Sequence, residues 1–229
     1  MKTLFISQPF GQGDHIFCVE LARQLKEATC SDRILWGSVP QFVDGNKRAY
    51  SDIEWINNWD VPQEWYRVKQ RSIDGNTVIE PVRWADEIQK VPYTQCMRAK
   101  YDMYGLDFNI WRNAIYQRDP QREKRLAEIV GAMGEYTLVN RFYGSENQFT
   151  ASIRPPSGRV VEMRAITGYS LFDWSSIMEN AQEVHAVSSS ILYLLELLDL
   201  KQPLHLYPRN GDPKYKQVYY LFTKEYKLH

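Results

Sequence analysis

Two short loops carry residue types and spacings from which chemistry can be built. The first is Gly11-Gln12-Gly13-Asp14-His15. Its two glycines allow a tight turn and a close backbone approach to a ligand. A helix start there would add unpaired N–H groups and a partial positive charge that favour anions. Asp14 has two readings. It caps the helix with its carboxylate, or it stands over the carboxyl ends of the strands, where open α/β sheets bind ligands, and takes a proton from an attacking hydroxyl. His15 beside it either packs or contacts a substrate. The second loop is Ser188-Ser189-Ser190. Three hydroxyls and helix-start amides make a cradle for a diphosphate, unless one serine caps the helix and the others are solvated. The glycine spacing of the first loop is not the GxGxxG fingerprint, and no acidic residue ends a second strand in the required way. A nicotinamide enzyme is therefore disfavoured.

The elements that must position these loops are legible at both ends of the chain. Residues 3–6 form an apolar run suited to a buried parallel strand. A helix follows from near Asp14, with Phe17, Leu21 and Leu25 on one face beside Cys18 and Ala22. Residues 34–36 make the next strand, which completes a βαβ unit. Residues 40–110 show no sustained period: a strand is expected at Val78-Ile79, a short helix from Trp84 to Lys90, and aromatic anchors between. A helix is expected over 120–133, with Leu126, Ile129, Val130 and Met133 as its stripe and Gly134 ending it. Strands at 136–140 and 159–163 come next, then a helix capped by Asp173 and running to about Ala181, with Trp174 in the core. A strand at 183–187, in which His185 is packed, leads through the serine loop into a helix over 191–198. A strand at 204–207 closes the series. Alternation of this kind means parallel sheets. The fold class is α/β, two small Rossmann-like halves with parallel sheets facing a cleft. Residues 1–131 form the acceptor-side half, 132–212 the donor-binding half, and 213–229 a tail packing back across the body.

Composition bounds the partners. The 229 residues exceed a typical domain of roughly 150, which leaves room for two small halves. Lysine plus arginine number 28 and aspartate plus glutamate 28, a balance that excludes a polycation or a broad sequence-independent sweep of phosphate contacts. No apolar run approaches the roughly 20 residues of a membrane span, so membrane insertion is not expected, and the first residues lack the apolar region of a signal peptide. Cys18, Cys30 and Cys96 have neither paired nor zinc-binding spacing, which fits a reducing cytoplasm. No paired acidic loop calls for a divalent metal.

The segment from Leu171 to Glu196, with its helix, strand, hydroxyl loop and helix, resembles the donor-site half of GT-B glycosyltransferases, particularly the heptosyltransferase-like group. The turn Gly11-Gln12-Gly13-Asp14 is similar to that group's glycine–aspartate turn, where the aspartate is the catalytic base. The resemblance covers about 90 residues in two blocks. It implies an inverting, metal-independent glycosyltransferase without a cofactor, whose donor substrate is a nucleotide-diphosphate sugar. Asp14 is then the base, Gly11, Gly13 and His15 line the substrate, and Ser188, Ser189 and Ser190 hold the diphosphate. Asn140 and Arg141, ending a strand, match a phosphate-binding position, with Arg164 and Arg209 as alternates and Glu196 as the candidate ribose partner. The chain departs from the family in being short and in carrying serine where a donor-loop glycine is common.

The acceptor is read from charge. Arg67, Lys69 and Arg71 form one basic cluster, and Arg112, Arg118, Arg122, Lys124 and Arg125 another, with Trp65, Tyr66, Trp111 and Tyr116 interleaved. Such a pattern suits a nucleic-acid groove that stacks an exposed base, although solvated helix faces give the same pattern. The short chain also resembles bacteriophage glycosyltransferases that decorate hydroxylated DNA bases. The acceptor expectation therefore leans to a modified base in DNA, within the host cytoplasm. A cell-surface glycan or lipid-linked sugar is the alternative acceptor, and a non-catalytic nucleotide-sugar-binding module the alternative class.

Overall fold

The computed structural model describes residues 1–8, 11–68, 71–82, 90–92, 95–144, 149–154, 157–209 and 220–229. The chain divides into two units, Met1–Gln117 and Arg118–His229. Among the described residues no helix is long and apolar enough to cross a membrane, and Cys18, Cys30 and Cys96 are free thiols.

In the first unit, β1 (Lys2–Ile6), β2 (Arg33–Ser38), β3 (Glu54–Asn57), β4 (Ser72–Asp74) and β5 (Thr77–Val82) form one sheet in the order β3-β2-β1-β5-β4. All pairs are parallel except the β4–β5 hairpin. The apolar run of β1 is buried along nearly its whole length because strands flank it on both sides. Helix α1 (Gln12–Ala28) follows it and buries Ile16, Phe17, Val19, Leu21, Ala22 and Leu25. This face is wider than the four-residue stripe predicts. Phe5, Leu35, Val61, Trp65 and Ile79 form one core cluster, and Trp36 stacks on Trp55 with ring centroids 4.7 Å apart.

Among its described residues, the middle expected to be irregular contains both sheet and helix. Helix α2 (Pro40–Ala49) and β3 were not expected; β3 reads Glu-Trp-Ile-Asn, too short to show a period. The expected strand at Val78-Ile79 is β5, placed beside β1. The helix expected from Trp84 to Lys90 lies almost wholly outside the described residues. Helix α3 (Cys96–Asp102) is tied to α1 by the Tyr101 hydroxyl, which donates to the Phe17 carbonyl at 2.6 Å.

The second unit begins at Arg118, not near residue 131 as the sequence reading placed it. Helix α4 (Pro120–Val130) belongs to it through ion pairs. Arg118 bridges the buried Glu123 and Glu179, and Arg122 binds Asp173. Gly131, at φ 69°, ends α4, three residues before the expected glycine. The predicted apolar stripe is only partly used: Leu126 is buried, whereas Ile129 and Met133 are exposed. Asp173 caps no long helix. It forms a capping box with Ser170 at a 3₁₀ turn, Leu171–Trp174, ahead of α5 (Ser175–Asn180). Trp174 is buried, as expected.

The second sheet has the order β12-β11-β10-β6-β9, all parallel. It is built from β6 (Thr137–Asn140), β9 (Val160–Glu162), β10 (Glu183–Val187), β11 (Leu204–Tyr207) and β12 (Tyr226–Leu228). A two-stranded pair, β7 (Phe142–Tyr143) with β8 (Phe149–Thr150), stands apart from it. Helix α6 (Ile191–Leu197) links β10 to β11. Of the tail expected over 213–229, residues 213–219 lie outside the described residues, and 226–228 are a sheet strand, not a strap across the body.

Candidate active site

Each sheet has one place where the chain order reverses, and each chemical loop sits there. In the first unit the chain runs outward from β1 through β2 to β3, then returns to β5 on the other side of β1. Asp14 follows the carboxyl end of β1 at that reversal. In the second unit β6 leads to β9 on one side, and β10 and β11 lie on the other. The serine loop follows β10 there. These are the positions at which open α/β sheets bind ligands.

The first loop is held by more than a helix cap. Helix α1 starts at Gln12, so Gly13 is its second residue and Asp14 its third, with no side-chain capping bond. The capping reading of Asp14 is thereby set aside. One carboxylate oxygen, Oδ1, instead accepts from the ammonium of Lys100, which lies 1% exposed on α3. The other, Oδ2, folds over Gly11: a Cβ on Gly11 would stand 2.3 Å from it. Gly11 also sits at φ 86°, in the left-handed region, so glycine is required twice over. Asp14 keeps 28% of its side chain exposed, enough for a substrate to reach it. Burial opposes the Lys100 charge, yet neighbouring Cys18 and Asp14 outweigh it and hold the lysine above its ordinary pKa.

His15 is corrected from substrate ligand to support. It is fully buried, with Nε2 3.1 Å from the Gln8 carbonyl and Nδ1 3.0 Å from the Asn46 amide nitrogen. Asn46 in turn accepts from the Gln12 amide at 2.8 Å. Trp36, Phe42 and Trp55 surround the ring edge-on. Burial lowers its pKa to about 4, so the imidazole is neutral. No ring nitrogen remains for a ligand.

The second loop gathers residues from three adjacent strand ends. Asn140 ends β6 and is buried, and its Oδ1 stands 3.5 Å from the Ser189 hydroxyl. The Ser188 N–H bonds the Tyr207 carbonyl at the end of β11. Arg209 donates from Nε to the Ser188 carbonyl at 2.7 Å and lies over the Tyr143 ring. Ser190 occupies the N-cap of α6 without a side-chain bond, so no serine hydroxyl caps this helix. Hydroxyls, an amide and a guanidinium around one strand-end crevice suit a phosphate-bearing ligand.

Three other expectations shift. Arg141 pairs with Glu162 through Nε and reaches the Ile153 carbonyl at 3.5 Å, so Arg209 and not Arg141 stands at the serine loop. Arg164 is exposed. Glu196, proposed for a ribose, is buried and fully engaged: its carboxylate accepts from the Thr223 N–H and hydroxyl, the Lys224 N–H and the Tyr226 hydroxyl, fastening the segment that forms β12. A groove of about 370 Å³ in the second unit, lined by Lys124, Met133, Tyr136 and Ser176 among others, contains none of these residues.

The basic clusters lose part of the pattern that suggested a nucleic-acid groove, while Tyr66 and Tyr116 remain half-buried. Trp65 and Trp111 are buried and cannot stack a base. Arg118 and Arg122 are tied to Glu123, Glu179 and Asp173, and Arg112 to Asn109. Lys69 lies outside the described residues. Lys100 escaped the sequence reading, although Met97, Lys100 and Tyr101 share one helix face, and a lysine in an apolar stripe is a usable signal for a buried ion pair.

Two parallel-sheet units with paired reversal-point loops have the GT-B fold. Solved structures agree. The chain superposes over its full length on a glycosyl transferase family 9 protein from Veillonella parvula, covering 86% of that chain at 7% identity with a TM-score of 0.58. It also matches the iron-containing dodecameric glycosyltransferase TibC from enterotoxigenic E. coli: 93% of this chain and 59% of that one, 13% identity, TM-score 0.53. No protein-family model and no curated protein sequence matches the chain.

Proposed function

We propose that the protein is a glycosyltransferase that moves a sugar from a nucleotide-diphosphate donor to an acceptor hydroxyl. The observation that carries this reading is Asp14: an accessible carboxylate at the reversal point of a GT-B sheet, aimed by a buried lysine and a glycine that nothing larger can replace. In the reaction, Asp14 accepts the proton of the acceptor hydroxyl as its oxygen attacks the anomeric carbon. Attack from the face opposite the leaving group inverts that centre. The Asn140 amide, the Ser188–Ser190 loop and Arg209 receive the departing diphosphate and stabilise its charge. Lys100 fixes the carboxylate between turnovers and does not itself touch the transferred groups. No metal is assigned a part in the transfer.

With Trp65 and Trp111 buried and Arg118 and Arg122 paired with acidic residues, a sugar hydroxyl on a glycan or lipid-linked acceptor is favoured over a modified DNA base. The test is a thermal-shift panel of nucleoside diphosphates and their sugars, with and without magnesium, followed by product mass on glycan and modified-DNA acceptors. Stabilisation by one nucleoside diphosphate irrespective of metal supports the donor site. Absence of any shift at saturating nucleotide overturns it.

A further inference from the structure

The hairpin that follows β6 carries an aromatic pair beside the serine loop, and the transfer step leaves that pair without a role. In β7 and β8 the register sets Tyr143 directly opposite Phe149, so the two side chains share one face of the hairpin. Their rings stack with centroids 5.3 Å apart and planes 25° from parallel. Pairing continues beyond them, where the Ala151 N–H bonds the Arg141 carbonyl at 2.8 Å. Tyr143 is half-buried and packs against a core cluster of Val139, Ala151, Ile153, Val187 and Tyr207. Phe149 stays 52% exposed.

Arg209 joins this pair to the serine loop. Its Nε donates to the Ser188 carbonyl at 2.7 Å, and its Cζ lies 5.6 Å from the centre of the Tyr143 ring. Guanidinium, tyrosine and phenylalanine thus form a ladder that starts at the loop and ends on an accessible ring, in steps of 5.6 and 5.3 Å. A nucleoside whose diphosphate rests on Ser188–Ser190 reaches over a span of that order. Single exposed apolar side chains are ordinary on a protein surface. Phe149 differs in being backed by a stacked ring and, through it, by the arginine that holds the phosphate-suited loop. A hairpin stabilised by a cross-strand aromatic pair needs the contact with Tyr143, but not half of the phenyl ring left open beside a ligand crevice.

We propose that Phe149, backed by Tyr143 and Arg209, is the platform on which the nucleobase of the donor stacks. This inference rests on the donor-site reading of the serine loop. Base–aromatic stacking acts through ring faces and tolerates every base, and arginine adds a cation–π component. A phenyl ring has no hydrogen-bonding group to read a base edge, so its contribution follows the stacked area and is larger for purines than for pyrimidines. The platform supplies affinity for the nucleoside without selecting one base by its edge.

The test measures binding of ADP, GDP, UDP, CDP and inorganic pyrophosphate to the full chain by calorimetry, in the wild type, Phe149→Ala and Phe149→Trp. Phe149→Ala should weaken the purine diphosphates by about 10-fold, the pyrimidine diphosphates by less, and pyrophosphate not at all. Phe149→Trp keeps a stacking face and should hold the purine diphosphates at wild-type affinity or better. Circular dichroism establishes that each variant folds. Undiminished nucleotide affinity in folded Phe149→Ala overturns the platform and leaves the donor site standing. Equal weakening of nucleotides and pyrophosphate also overturns it, because Phe149 then shapes the loop and does not meet the base. Failure of all five ligands to bind the wild type overturns the donor site and the platform together.

Discussion

The two reversal-point loops occupy equivalent places and carry different chemistry. In the first unit the chain after β1 turns through Gly11 and brings a carboxylate into the first turn of α1. In the second, the chain after β10 turns through three serines and brings hydroxyls and a guanidinium together. Neither helix is capped by a side chain from its loop, so in both the polar groups are held for something other than the helix end. Support differs as well. The first loop rests on a buried lysine and a buried, neutral histidine, whereas the second rests on backbone bonds between neighbouring strand ends. In the proposed reaction the same topology serves a proton acceptor in one unit and an anion site in the other. The rigid side-chain scaffolding surrounds Asp14, the group whose position matters most for the proposed proton transfer.

Several experiments can break or sharpen that contrast. The largest effect is expected for Asp14→Asn, which keeps an oxygen for Lys100 but cannot take a proton. Transfer should fall by about 10²–10⁴-fold, read by product mass, with the nucleoside-diphosphate thermal shift unchanged; loss of that shift would collapse the division of labour. Asp14→Ala removes the oxygen too and leaves the Lys100 ammonium buried without its carboxylate. Urea unfolding should show a loss on the order of 3 kcal/mol, largely restored by adding Lys100→Met.

Acid should next expose the histidine beneath the first loop. His15 titrates at about 4 in the folded protein, below the usual 6.5 of an unfolded chain. The unfolded state therefore binds the extra proton first as pH falls. Stability is fully present above about 6.5 and is lost towards 4, by roughly 3 kcal/mol in total. Unfolding curves across that range should be flatter for His15→Gln, and an unchanged slope would remove the histidine as the loop's support.

Gly11→Ala forces a left-handed residue and pushes a methyl into Asp14. It should cost about 1–2 kcal/mol and lower transfer, whereas a serine-loop change should leave stability alone. Ser189→Ala is the smallest expected effect, about a 3–10-fold loss of nucleotide affinity with the melting temperature unmoved. A large stability loss there would mean that the second loop is scaffolding after all.

Local signals decided what was legible. Strands β10 and β11 coincide with the strands read at 183–187 and 204–207, where apolar residues alternate with Glu183, His185 and His205. Helix α2 and β3 carry no such pattern: Asn46 is buried by hydrogen bonds from partners far away in sequence, not by hydrophobicity. The tryptophans looked like a stacking surface, since composition cannot distinguish an exposed ring from Trp36 stacked on Trp55 inside the core. Glu196 looked like a ribose ligand for the same reason, its true partners lying 27 to 30 residues downstream.

The sequence by itself determined the alternation of strands and helices, the two loops that end strands, and the aspartate and serines within them, because each rests on residues a few positions apart. Only the tertiary structure decided which arginine stands at the serine loop, that Lys100 reaches Asp14 across 86 positions, and that His185 meets His205 across a strand register. Those pairings depend on which strands become neighbours. That choice is made by burial of the whole sheet, and no local run of residues records it.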